Sequence, residues 1–402
     1  MPWKETQKMD QRIEFALKSL SSPNFRQLCQ EYNISTKTGY KWQRRLLEQG
    51  LAGMAEGSRR PHRHANELSE SIVCDIIALK VAHPHWGPRK IQALYGRKYG
   101  PEVPSESSFK RVLERVGLTV PRRRRRAAET GRLSSGAKAE GPNDIWTVDF
   151  KGWWNSCQGD RVEPLTVRDE YSKMILELRA LPDACGKSVR DCFELLFERY
   201  GLPKAIRSDN GSPFAHSRAL LGLSRLSAWW LALGINLERN RPRCPQDNGA
   251  HERMHRDIRN ELQRSRVGRD QQAFDLWRQE YNHERPHEAL GMRVPAQLYR
   301  PSERKYEGTP QDIDYEGMDV RKVQRRKGTI RYERQVIFLS SALGGWSVGL
   351  SPCGDDRIEV WFSTLLLGHL DPRTSSFRSV LPKDHLTAGS ASSGSQLAPC
   401  SF

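Results

Sequence analysis

The sequence predicts a mixed α/β core of five strands with helices, preceded by all-α helix-turn-helix units and followed by a small all-β barrel. Three observations carry this. IWTVDFKGWW, residues 145–154, alternates Trp146, Val148 and Phe150 with Thr147, Asp149 and Lys151, the period of a half-buried strand. The elements from there read strand, strand, strand, helix, strand, helix, strand, helix. Lys plus Arg exceed Asp plus Glu by 17, and 25 basic against 12 acidic residues fall within 1–126, so the excess is concentrated in front. That asymmetry favours a nucleic-acid-binding front end.

A chain of 402 residues has room for two or three cores. In the first unit, residues 1–60, FRQLCQEYNISTKTGYKWQRRLL reads as helix, tight turn at Asn33 to Ser35, and a second helix capped by Ser35 or Thr36. Lys37, Lys41, Arg44 and Arg45 of that second helix are the expected major-groove cations. Residues 61–120 form a second such unit. It has a helix from about 68 to 82, Arg89 and Lys90 in WGPRKIQALYG, and SESSFKRVLERVGL with Ser105 as N-cap, Lys110 and Arg111 outward and Phe109, Val112 and Leu113 buried.

Residues 121–140 are too basic and apolar-poor to build a core and are expected to be a flexible linker. Its run Arg122, Arg123, Arg124, Arg125 and Arg126 can neutralise phosphates without fixed geometry.

The core is expected over 141–300. PLTVRD and MILELRAL supply two strands, 186–200 an amphipathic helix, KAIRSD a fourth strand, about 217 to 233 a helix, and INLERN a fifth strand. RCPQDNGAHERMHRDIRNEL then places a turn cluster before a helix that carries Glu252 among Arg253, Arg256 and Arg259. GTIRYERQVIFLS, GWSVGLS and DRIEVWFSTLLLGHLD are the strand-like runs of the barrel, residues 316–372, and the Ser/Gly-rich 373–402 is expected to be a disordered tail.

Three acids stand where such a core can gather them: Asp149 in mid-strand, Asp209 at the end of the fourth strand, and Glu252 in the first turn of the next helix. Carboxylates are hard ligands that suit Mg2+ or Mn2+, and two ions can serve both the attacking and the leaving oxygen of a phosphoryl displacement. Asn210-Gly211 after Asp209 makes a sharp turn. The bland alternative for Glu252 is a solvated helix face with an ion pair to Arg256, worth under ~1 kcal/mol. His283 and His287 are spaced i, i+4, but Pro286 and the lack of a nearby cysteine partner favour a structural role. Trp153-Trp154 and Trp229-Trp230 read as packing residues.

IWTVDFKG, RSDNGSPF, PQDNGAHERMHRDI and YNHERPHEALGMRVPAQLY resemble the integrase-core transposases of bacterial insertion sequences, relatives of retroviral integrase. The resemblance implies a ribonuclease H-like catalytic core over about 140 to 300, with Asp149, Asp209 and Glu252 as catalytic acids holding two Mg2+ or Mn2+ ions. It implies cutting of transposon ends and joining of their 3′-hydroxyls to target DNA, with the terminal inverted repeats and target DNA as partners of a homo-oligomer. Arg256 and Arg259, one and two turns beyond Glu252, would then hold a DNA backbone, with Asn248 on the approach to their helix. In one respect the sequence departs from the family: 42 residues separate Asp209 from Glu252, a longer gap than usual, so the helix around Leu220 to Leu233 or its loops should be extended. Glu238, on the fifth strand, and Asp247, in the loop, are rejected as the third acid. A DNA-binding repressor with an inactive core is the rival function, and a nuclease that cuts without joining is the enzymatic one.

Eight cysteines lie scattered without a CxxC pair, and no signal core or long apolar run is present, so a soluble intracellular protein with no membrane partner is expected; the resemblance implies that the compartment is the bacterial cytoplasm.

Overall fold

A computed structural model describes residues 8–56, 67–119, 138–156, 159–216, 219–241, 249–263, 270–354, 357–374 and 376–380. The chain divides into two compact units, Met1–Glu70 and Ser71–Phe402. Among the described residues no helix is long and apolar enough to cross a membrane.

In the first unit, α1 (Lys8–Ser21), α2 (Phe25–Glu31) and α3 (Thr36–Gln49) pack around Phe15, Ala16, Leu28, Cys29, Trp42 and Met54. Asn33 supplies the left-handed residue of the α2–α3 turn. Ser35, not Thr36, caps α3, its hydroxyl accepting from Thr38 N at 3.2 Å. At Gly39 a Cβ would stand 2.6 Å from Cys29 Sγ, so only glycine lets α3 approach α2 this closely.

The second unit begins with α4 (Glu70–Ala82), α5 (Pro88–Tyr99) and α6 (Glu106–Arg115). Phe109, Val112 and Leu113 are buried, as the α6 spacing predicts. Ser105 stands at the N-cap, yet its hydroxyl bonds Ser107 and Ser108 rather than the helix backbone.

The core sheet uses β1 (Ile145–Phe150), β2 (Trp154–Asn155), β3 (Arg161–Asp169), β4 (Ile175–Leu181), β5 (Ala205–Ser208) and β6 (Asn236–Arg239). Its order is β2-β3-β1-β5-β6, with β4 also paired to β3. β1 runs antiparallel to β3, with Asp149 opposite Thr166, and parallel to β5. This is the ribonuclease H-like arrangement, a mixed sheet covered on both faces. On one face α7 (Gly186–Tyr200) and α8 (Arg225–Ala232) bury Trp146, Val148, Phe193, Phe197, Trp229 and Trp230. On the other, α9 (Gly249–Ile258), continued by a π turn at Arg259–Gln263, and α10 (Gln271–His283) pack Met254, Ile258, Phe274 and Trp277 against Ile175 and Leu178. The period-2 alternation of β1 therefore sends its apolar residues to α7 and α8, and Thr147 lies against α9 through His251.

The helix expected from about 217 to 233 is shorter than that. α8 begins at Arg225, because Leu221 is left-handed (φ 50) in the 3-10 turn Leu220–Gly222 and Ser224 with Ser227 forms a capping box. The added residues meet the all-β end: Leu223, Ala228 and Leu231 share one core with Ile330, Leu343, Val348, Val360, Phe362 and Leu370. α11 (Pro295–Leu298) closes the core segment.

The end domain has β7 (Asp319–Lys322), β8 (Thr329–Tyr332), β9 (Gln335–Phe338), β10 (Ser347–Pro352), β11 (Ile358–Phe362), β12 (Leu365–Asp371) and β13 (Ser376–Ser379). It is a five-stranded antiparallel sheet, β13-β12-β11-β10-β7, with β8–β9 as a separate hairpin. GTIRYERQVIFLS is thus two strands, turned at Glu333 (φ 51). The expected disorder from 373 is corrected as well: Phe377 packs on the shared core and β13 pairs with β12, whereas 381–402 lies outside the described residues.

Candidate active site

Asp149 is half-buried in β1, and the space beneath it is filled by two histidines on the inner face of α9. His251 Nδ1 lies 3.1 Å from Thr147 Oγ1 and its Nε2 lies 2.6 Å from Thr166 Oγ1. His255 Nε2 reaches the same Thr166 hydroxyl at 2.8 Å, and its Nδ1 stands 4.0 Å from Asp149 Oδ2. Burial, followed by the neighbouring positive charge, holds both rings neutral. His255 is lowered to about 3 by burial and by Lys151, Arg168 and Arg259, and His251 is lowered well below the usual imidazole range. Lys151 is itself lowered by burial and by Arg259, and Asp149 opposes that shift.

Asp209 is exposed, one residue beyond β5. Its Oδ1 accepts from Gly211 N at 3.1 Å, which ties the carboxylate to the turn that follows it. Arg239 holds the loop from β6, donating to Ser208 Oγ (2.6 Å), Asp209 O (3.3 Å) and Phe214 O (2.8 Å), and burial lowers its pKa to about 10 although Asp209 opposes this.

Glu252, Arg253, Arg256 and Arg259 are exposed on α9 and its π turn, while His251, Met254, His255 and Ile258 are buried. Glu252 makes no ion pair with Arg256, so the ordinary explanation for this helix face loses its expected contact. Glu238 lies on β6 and pairs with Arg207 of β5 at 2.6 Å; Asp247 and Asn248 lie outside the described residues.

Among the described residues, the group of metal-capable side chains whose ligand atoms all lie within 4.8 Å of one another is Asp149, His251 and His255. Asp209 and Glu252 are not in that set. Sequence reasoning passed over the two histidines. The signal was present, since they are spaced i, i+4 on one side of the helix, but it becomes readable only once that side is known to be buried. His283 is exposed, and His287 meets the Tyr281 ring edge-on at a centroid distance of 4.6 Å.

α9 is fixed from the far side. Arg285 donates to Asp257 Oδ2 at 2.8 Å and Glu261 Oε2 at 2.9 Å, and Trp277 Nε1 also donates to Glu261 at 2.8 Å. Arg285→Met is expected to cost about 3 kcal/mol, because a buried charge pair broken on one side leaves the other unpaired. Urea denaturation measures it, and a loss below about 1 kcal/mol would remove the clamp from the account.

The cations expected to meet DNA are dispersed. Lys37, Lys41 and Arg44 are exposed on α3, while Arg45 is half-buried over Trp42 and donates to Ala55 O. Arg89 is exposed but paired with Glu106 at 2.8 Å and Glu288 at 3.8 Å. Lys90 is a correction: it is half-buried, with its pKa lowered to about 8 by burial and Arg285, beside Asp257, Glu261 and Glu288 of the core and not on an open face. Lys110 pairs with Glu114 at 3.8 Å, and Arg111 donates to Ser107 O. Arg122, Arg123, Arg124, Arg125 and Arg126 lie outside the described residues.

Family models agree with this layout. Two described as "Integrase core domain" match residues 139–245 and 233–295, "Helix-turn-helix domain" matches 11–62, and "Homeodomain-like domain" matches 38–113. The "Insertion element IS407 uncharacterized 31.7 kDa protein" of Burkholderia multivorans is 28% identical over 239 residues, which is 58% of this chain and 82% of that protein. The "Insertion element IS476 uncharacterized 39.2 kDa protein" of Xanthomonas euvesicatoria is 28% identical over 262 residues, 63% of this chain and 72% of the relative. A solved HTLV-2 integrase catalytic core domain in complex with magnesium is 16% identical and covers 40% of this chain and 100% of its own, at a TM-score of 0.33. Residues 139–295 thus match integrase-core models behind matches to helix-turn-helix and homeodomain-like models, and the chain is similar to insertion-element proteins.

Proposed function

We propose that the protein is a DNA transposase, a polynucleotidyl transferase that cuts element ends and joins their 3′-hydroxyls to target DNA. One observation carries most of this reading. β1 and β5 pair in parallel with Ile145 opposite Ala205, Trp146 opposite Ile206 and Thr147 opposite Arg207. Continued by two residues, that register would bring Asp209, just beyond the end of β5, toward Asp149 on the neighbouring strand. Two carboxylates at one sheet edge, with Glu252 in the first turn of the helix that packs beneath, form a hard donor set suited to Mg2+ or Mn2+. Two such cations would supply Lewis acidity to the attacking and the leaving oxygen.

The chain's own residues do the rest. Asp149, Asp209 and Glu252 hold the charge that the cations neutralise. Arg256 and Arg259, exposed along the same helix, grip phosphates, as do Lys37, Lys41 and Arg44 of α3. The helix-turn-helix units recognise the terminal inverted repeats. Because two ends are joined in one event, the working form is a homo-oligomer on DNA.

Incubation of the full chain with labelled element ends, target DNA and Mg2+ tests this. Joined product supports transposition, cut product alone would make the protein a nuclease, and a bound complex without cleavage would make it a repressor.

A further inference from the structure

Three acceptors around the Asp209 turn converge on one side chain. Arg239 ends β6, directly opposite Ser208 in the parallel β5–β6 pairing. Its Nη1 donates to Ser208 Oγ at 2.6 Å and to Asp209 O at 3.3 Å, and its Nη2 donates to Phe214 O at 2.8 Å. Ser208 and Phe214 are buried, so acceptors there have little water to turn to, and leaving them unpaired would be costly. The next residue repeats the grip: Asn240 N donates to Ser208 O at 3.1 Å, and Asn240 O accepts from Asn210 Nδ2 at 2.8 Å.

The pairing of β5 with β6 ends at Ser208, and Asp209 is exposed, so at this point the acid passes from the sheet to the loop. Arg239 bridges both ends of that loop. Its planar fork reaches Ser208 and Asp209 with one nitrogen and Phe214 with the other, and Phe214 O is held a second time by Ser224 Oγ at 3.1 Å, at the cap of α8. A lysine carries the same charge on a single ammonium and lacks the rigid fork that spans these acceptors.

We propose that Arg239 is the positioning residue for Asp209, fixing where that carboxylate stands toward a divalent cation held with Asp149. The proposal rests on the reading that Asp209 holds a cation. Arg239 acts through the backbone of Asp209 and touches no reacting atom. Groups that orient a metal ligand from behind are worth about ten- to a hundredfold in metal affinity.

The probe is Mn2+ alone, titrated into the full-length protein and followed by electron paramagnetic resonance of the free ion. Arg239→Lys should weaken Mn2+ binding by about tenfold at an unchanged number of sites, while DNA affinity stays within a few-fold. Wild-type Mn2+ affinity in this variant overturns the proposal, and so does a smaller number of sites at unchanged affinity, the pattern of a purely structural role. Hydrogen exchange of the wild type needs no variant to fold and decides the matter if Arg239→Lys does not: the Ala215 amide, bonded to Gly211 O at 2.9 Å, should be protected, and free exchange across 208–216 means the loop is not held. Asp209→Asn separates the two claims. Wild-type Mn2+ binding in Asp209→Asn removes Asp209 as a cation ligand, whereas lost binding there beside full binding in Arg239→Lys sinks Arg239 alone. A wild type that binds no Mn2+ ends both.

Discussion

Asp149→Asn is expected to reduce cutting and joining of labelled DNA ends by at least about a thousandfold, some 4 kcal/mol of barrier, while DNA affinity stays within a few-fold. The substitution is nearly isosteric, so Thr166, His255 and the β1–β3 pairing keep their neighbours and the strand has no reason to move. What disappears is one negative charge at the centre of the sheet, and with it the anionic ligand of the proposed cation site. Lys151 and Arg259, both close enough to act on this corner of the site, would then face no countercharge from β1. That change favours phosphate contact if anything, so binding should not fall. Gel resolution of labelled products measures the chemistry, and fluorescence anisotropy at fixed salt measures the binding. Joining that persists in the variant would remove Asp149 from the catalytic set. A parallel collapse of binding would make its role structural.

Much of the core was legible because its signals are local. The alternation in β1 separates an aromatic-rich face from a polar one, and Trp146 and Val148 are buried on the first as it requires, although Thr147 on the second is buried too, under α9. The capped α3, the buried stripe of α6 and the order of core elements follow from equally short-range rules. The errors share a different cause. The start of α8 is set where Leu221 and Leu223 meet the core of the end domain, a contact between segments about a hundred residues apart. β13 exists because Phe377 finds an apolar surface, although its sequence surroundings read as a polar tail. Lys90 reads as a surface cation until Asp257 and Glu261 are known to lie beside it. The candidate site divides along the same line. Asp149, Asp209 and Glu252 stand out by motif and element position, whereas His251 and His255 acquire meaning only from Thr147 and Thr166, which the fold alone brings beneath α9.

Acidification should destabilise the second unit well before its ordinary carboxylates titrate. His251, His255 and His287 are held neutral by burial first and by nearby cations second; His255 and His287 are lowered to about 3, and His251 well below its usual value. A histidine in the unfolded chain protonates near 6.5, so the unfolded state binds more protons below that pH and stability falls as pH drops from about 6.5 toward 3. At pH 5.5 each ring contributes roughly 1.4 kcal/mol of loss, about 4 kcal/mol for the three. Carboxylates lowered by their partners, such as Asp144, Glu170 and Asp312, lose their contribution only from the usual carboxylate range downward, and Asp169, raised by burial, acts in the opposite direction there. Between pH 7 and 5 the histidines therefore dominate. Urea denaturation at pH 7.5 and 5.5 should show the loss, and His287→Gln should remove about a third of it; a pH-independent midpoint across this window would mean the rings are charged or exposed in the folded protein. Two of the three rings lie on the inner face of α9, so the penalty falls on the helix that carries Glu252. Hydrogen exchange at pH 5.5 should accordingly accelerate in α9 before β1 and β3, and DNA joining should fail before the sheet unfolds.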